Sequence, residues 1–305
     1  MAPSKIFITG ATGFIGSHTA DAALKAGHNV RLSIRQAAQR QRLERVFASH
    51  LSQVEFVLIP DITKAEALRD ALLGIDYVWH IASPMPGAGS DIKSDYVDPA
   101  VNATLAILEA ALAYKTIKKV LVMSSVLSLV PFAAADDPRL TIMGMYHASK
   151  ILAHQGYRDW VKQHSPGFDT ISFHPTYVLG PDLLQEKAEE LAGVNGFIWR
   201  SLHSEKPSLP PAFVDVRDVA TAFMLASEND IQSGAEYLVS GPEVSWHEIA
   251  DMVKSRYPSI EVKLTPPFEN WHRVVTERAE RELGLRWISI EESLSSVIDQ
   301  QLAFQ

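Results

Sequence analysis

The 305-residue chain contains no cysteine. Disulfides and thiolate metal sites are therefore excluded. It has no basic tract, and its formal net charge is −8. That balance argues against nucleic acid or an anionic membrane surface as a partner. Long apolar runs are missing as well. The longest uncharged stretch, Val120 to Ala135, is broken by serines and a proline and is too short to span a bilayer. The eleven histidines form no H-E-x-x-H or similar pattern, so no metal is expected. No G-x-S-x-G is present, which argues against a serine hydrolase. Internal repeats, low-complexity tracts and long Gly/Ser linkers are absent. Met1-Ala-Pro-Ser-Lys5 leads straight into a strand pattern. That leaves no room for a signal peptide, and a cytoplasmic location is expected.

What is present suits a large folded unit. The chain is 47% hydrophobic and 21% charged, enough for a sizeable buried core. The first half alternates strand and helix patterns at the pace of βαβ units. Strands are expected at Lys5–Thr9, Asn29–Ile34, Val54–Ile59, Tyr77–Ile81, Val120–Met123 and Thr170–His174. Their continuous apolar runs suit parallel strands buried on both faces. Helices are expected between them, near Ile15–Ala26, Ala37–Ser49, Lys64–Leu73, Pro99–Tyr114 and Tyr146–Gln163. After His174 the regular alternation stops, with Glu236–Val239 and three helix patterns in the tail.

The most specific local signal is Gly10-Ala-Thr-Gly13-Phe-Ile-Gly16. It stands between the first strand and the first helix. Such a turn offers backbone N–H groups and the positive end of a helix dipole to a phosphate. One glycine lets the chain turn, one admits the pyrophosphate and one lets helix pack on strand. Over a hundred residues later, Tyr146 and Lys150 are four apart, on one face of a helix. A free tyrosine ionises only near pH 10, and a neighbouring ammonium favours the phenolate. The pair can exchange a proton at a carbonyl or carbinol. Upstream, the strand pattern Lys119–Met123 ends in Ser124 and Ser125, whose hydroxyls could hold a substrate oxygen.

Together these segments resemble the extended short-chain dehydrogenase/reductase family. Within it they are most similar to the NADP-dependent dihydroflavonol reductases and the fungal aldehyde or ketone reductases. The resemblance runs from about Lys5 to Ser296. It implies an α/β fold: a Rossmann-type, doubly wound parallel sheet with a smaller C-terminal lobe. Residues 1–176, with 213–240 returning, would form the NADP-binding domain. Residues 177–212 and 241–305 would form the substrate-binding lobe. Ser125, Tyr146 and Lys150 match the family's catalytic residues. The cofactor would lie along Gly10, Thr12, Gly13, Phe14, Ile15 and Gly16. Asp61 and Ile62, closing strand three, match the pair that reads the adenine. Ala82, Ser83 and Pro84 resemble the segment lining the ribose. Ser124, Pro175 and Thr176 resemble the surroundings of the nicotinamide. Phe213-Val-Asp-Val-Arg-Asp-Val-Ala220 resembles a further family signature. In many members the helix at Pro99–Tyr114 pairs across a dimer interface, so a monomer or homodimer is expected. That helix is apolar or small nearly all round, which is normal for a helix buried on two sides.

Cofactor choice is read at the end of strand two. A site for NAD usually carries an acid there, bonded to the ribose 2′-hydroxyl. This chain has none until Glu44. It has Arg35, followed by Arg40 and Arg42, and a guanidinium grips a phosphate as a charge-assisted fork. NADP(H) is the expected cofactor, with Arg35 and Arg40 as 2′-phosphate ligands. Gln39 stands where fungal relatives carry a second base. Ser128 rivals Ser125, because a turn after Ser125 would bring both near the nicotinamide. Met85, Ser128, Phe132, Tyr177 and Phe197 are candidates for an apolar substrate pocket. The expected activity is reduction of a small carbonyl compound, or the reverse oxidation. Two alternatives stay open: a nucleotide-sugar epimerase or dehydratase, and a non-catalytic NADP-binding regulator.

Overall fold

A computed structural model of the protein describes residues 3–85, 87–131, 142–268 and 273–304. Seven strands form one parallel sheet. In chain order they include β1 (Lys5–Thr9), β2 (Asn29–Ile34), β3 (Val54–Leu58), β4 (Tyr77–His80), β5 (Lys119–Met123) and β6 (Asp169–Pro175). β7 (Tyr177–Leu179) and β8 (Phe213–Asp215) pair only with each other. β9 (Ala235–Val239) completes the large sheet in the order β3-β2-β1-β4-β5-β6-β9. The order reverses beside β1, so a crevice opens at the carboxyl ends of β1 and β4. That is where doubly wound sheets take ligands.

The helices are α1 (Phe14–Lys25), α2 (Gln39–Val46), α3 (Ala65–Arg69), α4 (Asp98–Ala111) and α5 (Ile142–His164). They continue with α6 (Gly193–Leu202), α7 (Val216–Glu228), α8 (Trp246–Arg256), α9 (Glu277–Leu283) and α10 (Ile290–Ala303). Strand alternation decides which layer each side chain enters. Ile6, Ile8, Trp79, Leu121 and Met123 face α1 and α7 in one core. Phe7, Val78, Val120 and Val122 face α4 and α5 in the other. Both sheet faces are covered, which is why the strands read as continuous apolar runs. α4 buries Ala103, Ala106, Ile107, Ala110 and Ala111 within the chain.

A third core joins Leu179, Phe213, Trp246, Ile249 and Leu294, with α6, α8 and α10 around it. The chain crosses between the cores within β8. Phe213 belongs to the third core and Val214 to the sheet layer. From Val216 onward α7 lies on the large sheet. Among the described residues, no helix is long and apolar enough to cross a membrane.

Candidate active site

The three motif glycines are required for three different reasons. Gly10 has φ +80°, and a Cβ there would sit 2.8 Å from the Ala82 nitrogen. A Cβ on Gly16 would overlap the Gly10 carbonyl oxygen. Gly13 is exposed, and a Cβ on it would meet only Gly10 O at 3.5 Å. The protein itself does not need that space. Gly13 is also the N-cap of α1, extended and without a side-chain cap. The Gly13 N–H closes the turn by donating to Gly10 O at 3.0 Å, whereas the first-turn N–H groups of a helix, here those of Phe14, Ile15 and Gly16, have no partner within the helix. Thr12, Phe14 and Ile15 are half-buried around this turn.

One hydroxyl ties the turn to β4. Thr9 Oγ1 accepts from the N–H groups of Ile81 and Ala82, at 3.1 and 3.2 Å. Its own proton therefore goes to His80 Nδ1, 3.0 Å away. Burial and the nearby Lys150 charge push His80 down to about 4. The ring is neutral near pH 7, with its proton on Nε2. Ala82, Ser83 and Pro84 follow, half-buried, along the crevice wall.

At the serines the strand ends and a turn begins. Ser125 is extended and caps a 3₁₀ turn at Val126–Leu129, its Oγ accepting from Leu127 N at 3.2 Å. The Tyr146 hydroxyl is hydrogen-bonded to Ser125. Burial nevertheless pushes Tyr146 up to about 12, against the pull of Ser125. The i, i+4 expectation holds in geometry, with Lys150 Nζ 5.3 Å from the Tyr146 ring centroid. The expected drop in tyrosine pKa does not follow here, because desolvation dominates. Lys150 itself is pushed down to about 8 by burial, and donates to Ser83 Oγ at 2.9 Å. Behind these groups lies a cavity of about 20 Å³, bounded in part by His80, Ser124, Lys150 and His154. That is room for one water.

Other expected positions divide into those near the crevice and those engaged elsewhere. Arg35 is exposed just past β2, and among the described residues its guanidinium has no hydrogen-bond or ion-pair partner. Arg40 is occupied: it pairs with Glu44 at 2.7 Å and lies over the Phe56 ring. Gln39 accepts from the backbone N–H groups of Arg35 and Gln36. It shapes the loop rather than replacing a base. Arg42 reaches the segment after β7, bonding Leu184 O and Glu190. Asp61 lies three residues beyond the end of β3, in a turn where it accepts from Thr63 N and Oγ1. Those bonds, chiefly the hydroxyl's, hold its carboxyl below the usual range. Ile62 packs on the α4 core. Pro175 ends β6, and Thr176 N donates to Val239 O at 3.0 Å.

In the expected substrate pocket, Tyr177 is close enough to Tyr146 for its charge to oppose ionisation. Met85 is exposed past β4. Phe197 lies on α6 beneath the Arg200 guanidinium. Ser128 is engaged within the chain: its Oγ donates to Ser125 O at 2.7 Å and lies 2.9 Å from His174 Nδ1. Phe132 lies outside the described residues. A separate cleft of about 250 Å³ beside α6 is lined by residues including Leu191, Trp199, Arg200 and Gln301, and by none of the catalytic candidates.

The sequence pattern of the NAD dependent epimerase/dehydratase family matches residues 6–240, through the glycine turn, the serine strand and the tyrosine helix. The chain belongs to that family. The resemblance to the extended reductases is borne out by its relatives. A ketoreductase of Aspergillus fumigatus is 36% identical over 336 aligned positions, covering 100% of this chain and 99% of that one. A ketoreductase of Aspergillus niger is 30% identical over 291 positions, covering 86% and 85%. Among solved structures, Gre2 of Candida albicans in complex with NADPH superposes with a TM-score of 0.85. It is 21% identical, with 99% and 100% of the two chains covered. That likeness is one of fold, and the expected Rossmann-type sheet is present.

Proposed function

We propose that this protein is an NADP(H)-dependent oxidoreductase that reduces the carbonyl of a small organic molecule to an alcohol. The residues present fit the cofactor. The open Gly13 and the uncapped helix start suit a pyrophosphate. The unpartnered guanidinium of Arg35 suits a 2′-phosphate, and no acid competes with it at the end of β2. That last point favours the reductase reading over a nucleotide-sugar epimerase holding NAD. Both ketoreductase relatives and the NADPH complex of the structural neighbour support it. Residues 1–176 and 213–240 serve as the cofactor domain, and the remainder as the substrate lobe.

When bound, the cofactor supplies the hydride. The chain supplies position and the proton. The observation that carries the proposal is the Tyr146 hydroxyl bonded to Ser125, with the Lys150 ammonium against the same ring. A tyrosine held near 12 is fully protonated at pH 7, which is the state a reductase needs. It gives that proton to the oxygen as negative charge grows there. Ser125 Oγ donates to the same oxygen and stabilises the charge. The Lys150 ammonium, anchored on Ser83, stabilises the negative charge of the phenolate that remains.

Tyr146→Phe tests this. The variant should fold and bind NADPH as the parent does. Turnover of NADPH with ketone and aldehyde substrates should fall by roughly 10²–10⁴-fold, the usual worth of a positioned proton donor. Retention of turnover within a few-fold of the parent would place the proton source elsewhere.

A further inference from the structure

His174 lies on β6 with no exposed surface, and both ring nitrogens are engaged. Nδ1 is 2.9 Å from Ser128 Oγ and 3.2 Å from the Ser125 carbonyl oxygen. Nε2 is 2.9 Å from Ser172 Oγ. The proton positions follow from counting. A hydroxyl has one proton and two lone pairs. Ser128 donates its proton to Ser125 O, and it accepts from Ser124 Oγ at 3.0 Å. Its remaining lone pair can only accept from His174. The Ser125 carbonyl can likewise only accept. Nδ1 must carry the proton. Burial, with the neighbouring His154, pushes His174 down to about 4. The ring is thus neutral at pH 7, and Nε2 accepts from Ser172.

We infer that His174 is a positioning residue whose Nδ1–H, directly and through the Ser128 hydroxyl, clamps the Ser125 carbonyl and so aims Ser125 Oγ at Tyr146. This rests on the catalytic role of Ser125 proposed above. Ser125 is the pivot between β5 and the 3₁₀ turn. Fixing its peptide plane fixes the direction of its side chain. Ser128 is the intermediate in this clamp.

A wall behind His174 holds the ring in place. His154 packs edge-on against it, with centroids 4.5 Å apart. Its Nε2 is 3.1 Å from Glu236 Oε1, and Arg158 grips the same carboxylate with two N–H groups. His154, His174 and Glu236 place their nitrogens and oxygens within 4.8 Å of one another. That is a possible cation set by residue type alone. But His174 has no free nitrogen, and Arg158 already neutralises Glu236. The cluster reads as a brace.

The test uses the full chain and three variants. His174→Leu removes the donor. His174→Asn puts an amide N–H near the Nδ1 position. Ser128→Ala removes the intermediate without disturbing β6. His174→Leu should lower kcat about tenfold or more, the worth of a buried hydrogen bond, with KM and NADPH affinity unchanged. His174→Asn should restore most of that loss, and Ser128→Ala should fall between. In nitrogen-15 spectra of the free protein, His174 should show a protonated Nδ1 and a bare Nε2. Its Nδ1 signal should move in Ser128→Ala. Equal kcat in the Leu and Asn variants, or a proton on Nε2, would overturn the inference. If the parent reduces no carbonyl compound, the proposed function fails. The tautomer and its response to Ser128→Ala then still decide the clamp.

Discussion

The glycine turn and the serine turn stand at neighbouring strand ends, yet they are built differently. At Gly10 and Gly16 the shape is fixed by backbone against backbone, where a single Cβ would collide. At Ser125 it is fixed by hydroxyls and an imidazole drawn from β5, the turn after it and β6. The first end is open, with Gly13 and Arg35 facing solvent. The second is buried, and burial moves every titratable group there toward its neutral form. A phosphate can be met by groups already in water. A proton transfer requires groups held out of it.

The buried end should therefore cost stability, and Lys150 gives the largest measure of that. Its folded-state value lies near 8, against an ordinary 10.5. Below pH 8 both folded and unfolded protein carry the charge, and the folded state bears the whole cost of burying it. Between 8 and 10.5 the unfolded chain binds more protons, so stability rises with pH. Lys150→Met should raise the unfolding free energy at pH 7 by an amount on the order of 3 kcal/mol at most. The gain should shrink as pH climbs toward 10.5, while turnover is lost. A destabilised variant at pH 7 would show that Ser83 and the Tyr146 ring compensate the charge fully.

The same contrast governs what could be read from the chain. β1 and β2 have the boundaries expected, because buried parallel strands announce themselves as apolar runs. The region from Tyr177 to Pro211 was illegible. β7 and β8 are three residues each, too short to show a period of two. α6 begins Gly193-Val-Asn-Gly196, a poor helix start. It forms because Ile198 and Leu202 enter the third core. Asp61 was expected at a strand end and lies in a turn of its own making. Around the site, the glycines and the Tyr-Lys spacing are local patterns and were visible. Thr9, His80 and His174 act across strands that are distant in sequence, and no local pattern marks them. Ser83 was expected to line a ribose, and its bond to Lys150 was likewise invisible.

Arg35 sharpens the comparison from the open side. Among the described residues its guanidinium has no hydrogen-bond or ion-pair partner to lose, only the distant field of Asp61, so its removal should leave folding nearly unchanged. Arg35→Ala should weaken NADPH by about tenfold to a hundredfold, the range for a charge-assisted hydrogen bond of roughly 1.5–3 kcal/mol. NADH affinity should hardly change. Fluorescence titration of both cofactors into both proteins reads this directly. Equal affinity of the parent for the two cofactors would remove the assignment of NADP(H).

Gly13 gives the smallest effect and the cleanest separation. Its backbone, φ −112° and ψ 171°, is open to any residue. A methyl group there meets nothing closer than Gly10 O at 3.5 Å. Replacing a glycine in an unstrained position also removes freedom from the unfolded chain, a gain of roughly 0.4–1 kcal/mol. The weaker N-cap preference of alanine offsets part of that gain. Gly13→Ala should therefore melt within a degree or two of the parent, since 1 kcal/mol is only about 2–4 °C at larger domain sizes. NADPH should nonetheless bind several-fold more weakly, as if one backbone N–H of about 1 kcal/mol were kept from its phosphate. Calorimetric melting and an NADPH titration on the same sample decide it. A lowered melting temperature with unchanged NADPH affinity would mean that Gly13 serves the fold, and that the room beside it is not kept for a phosphate.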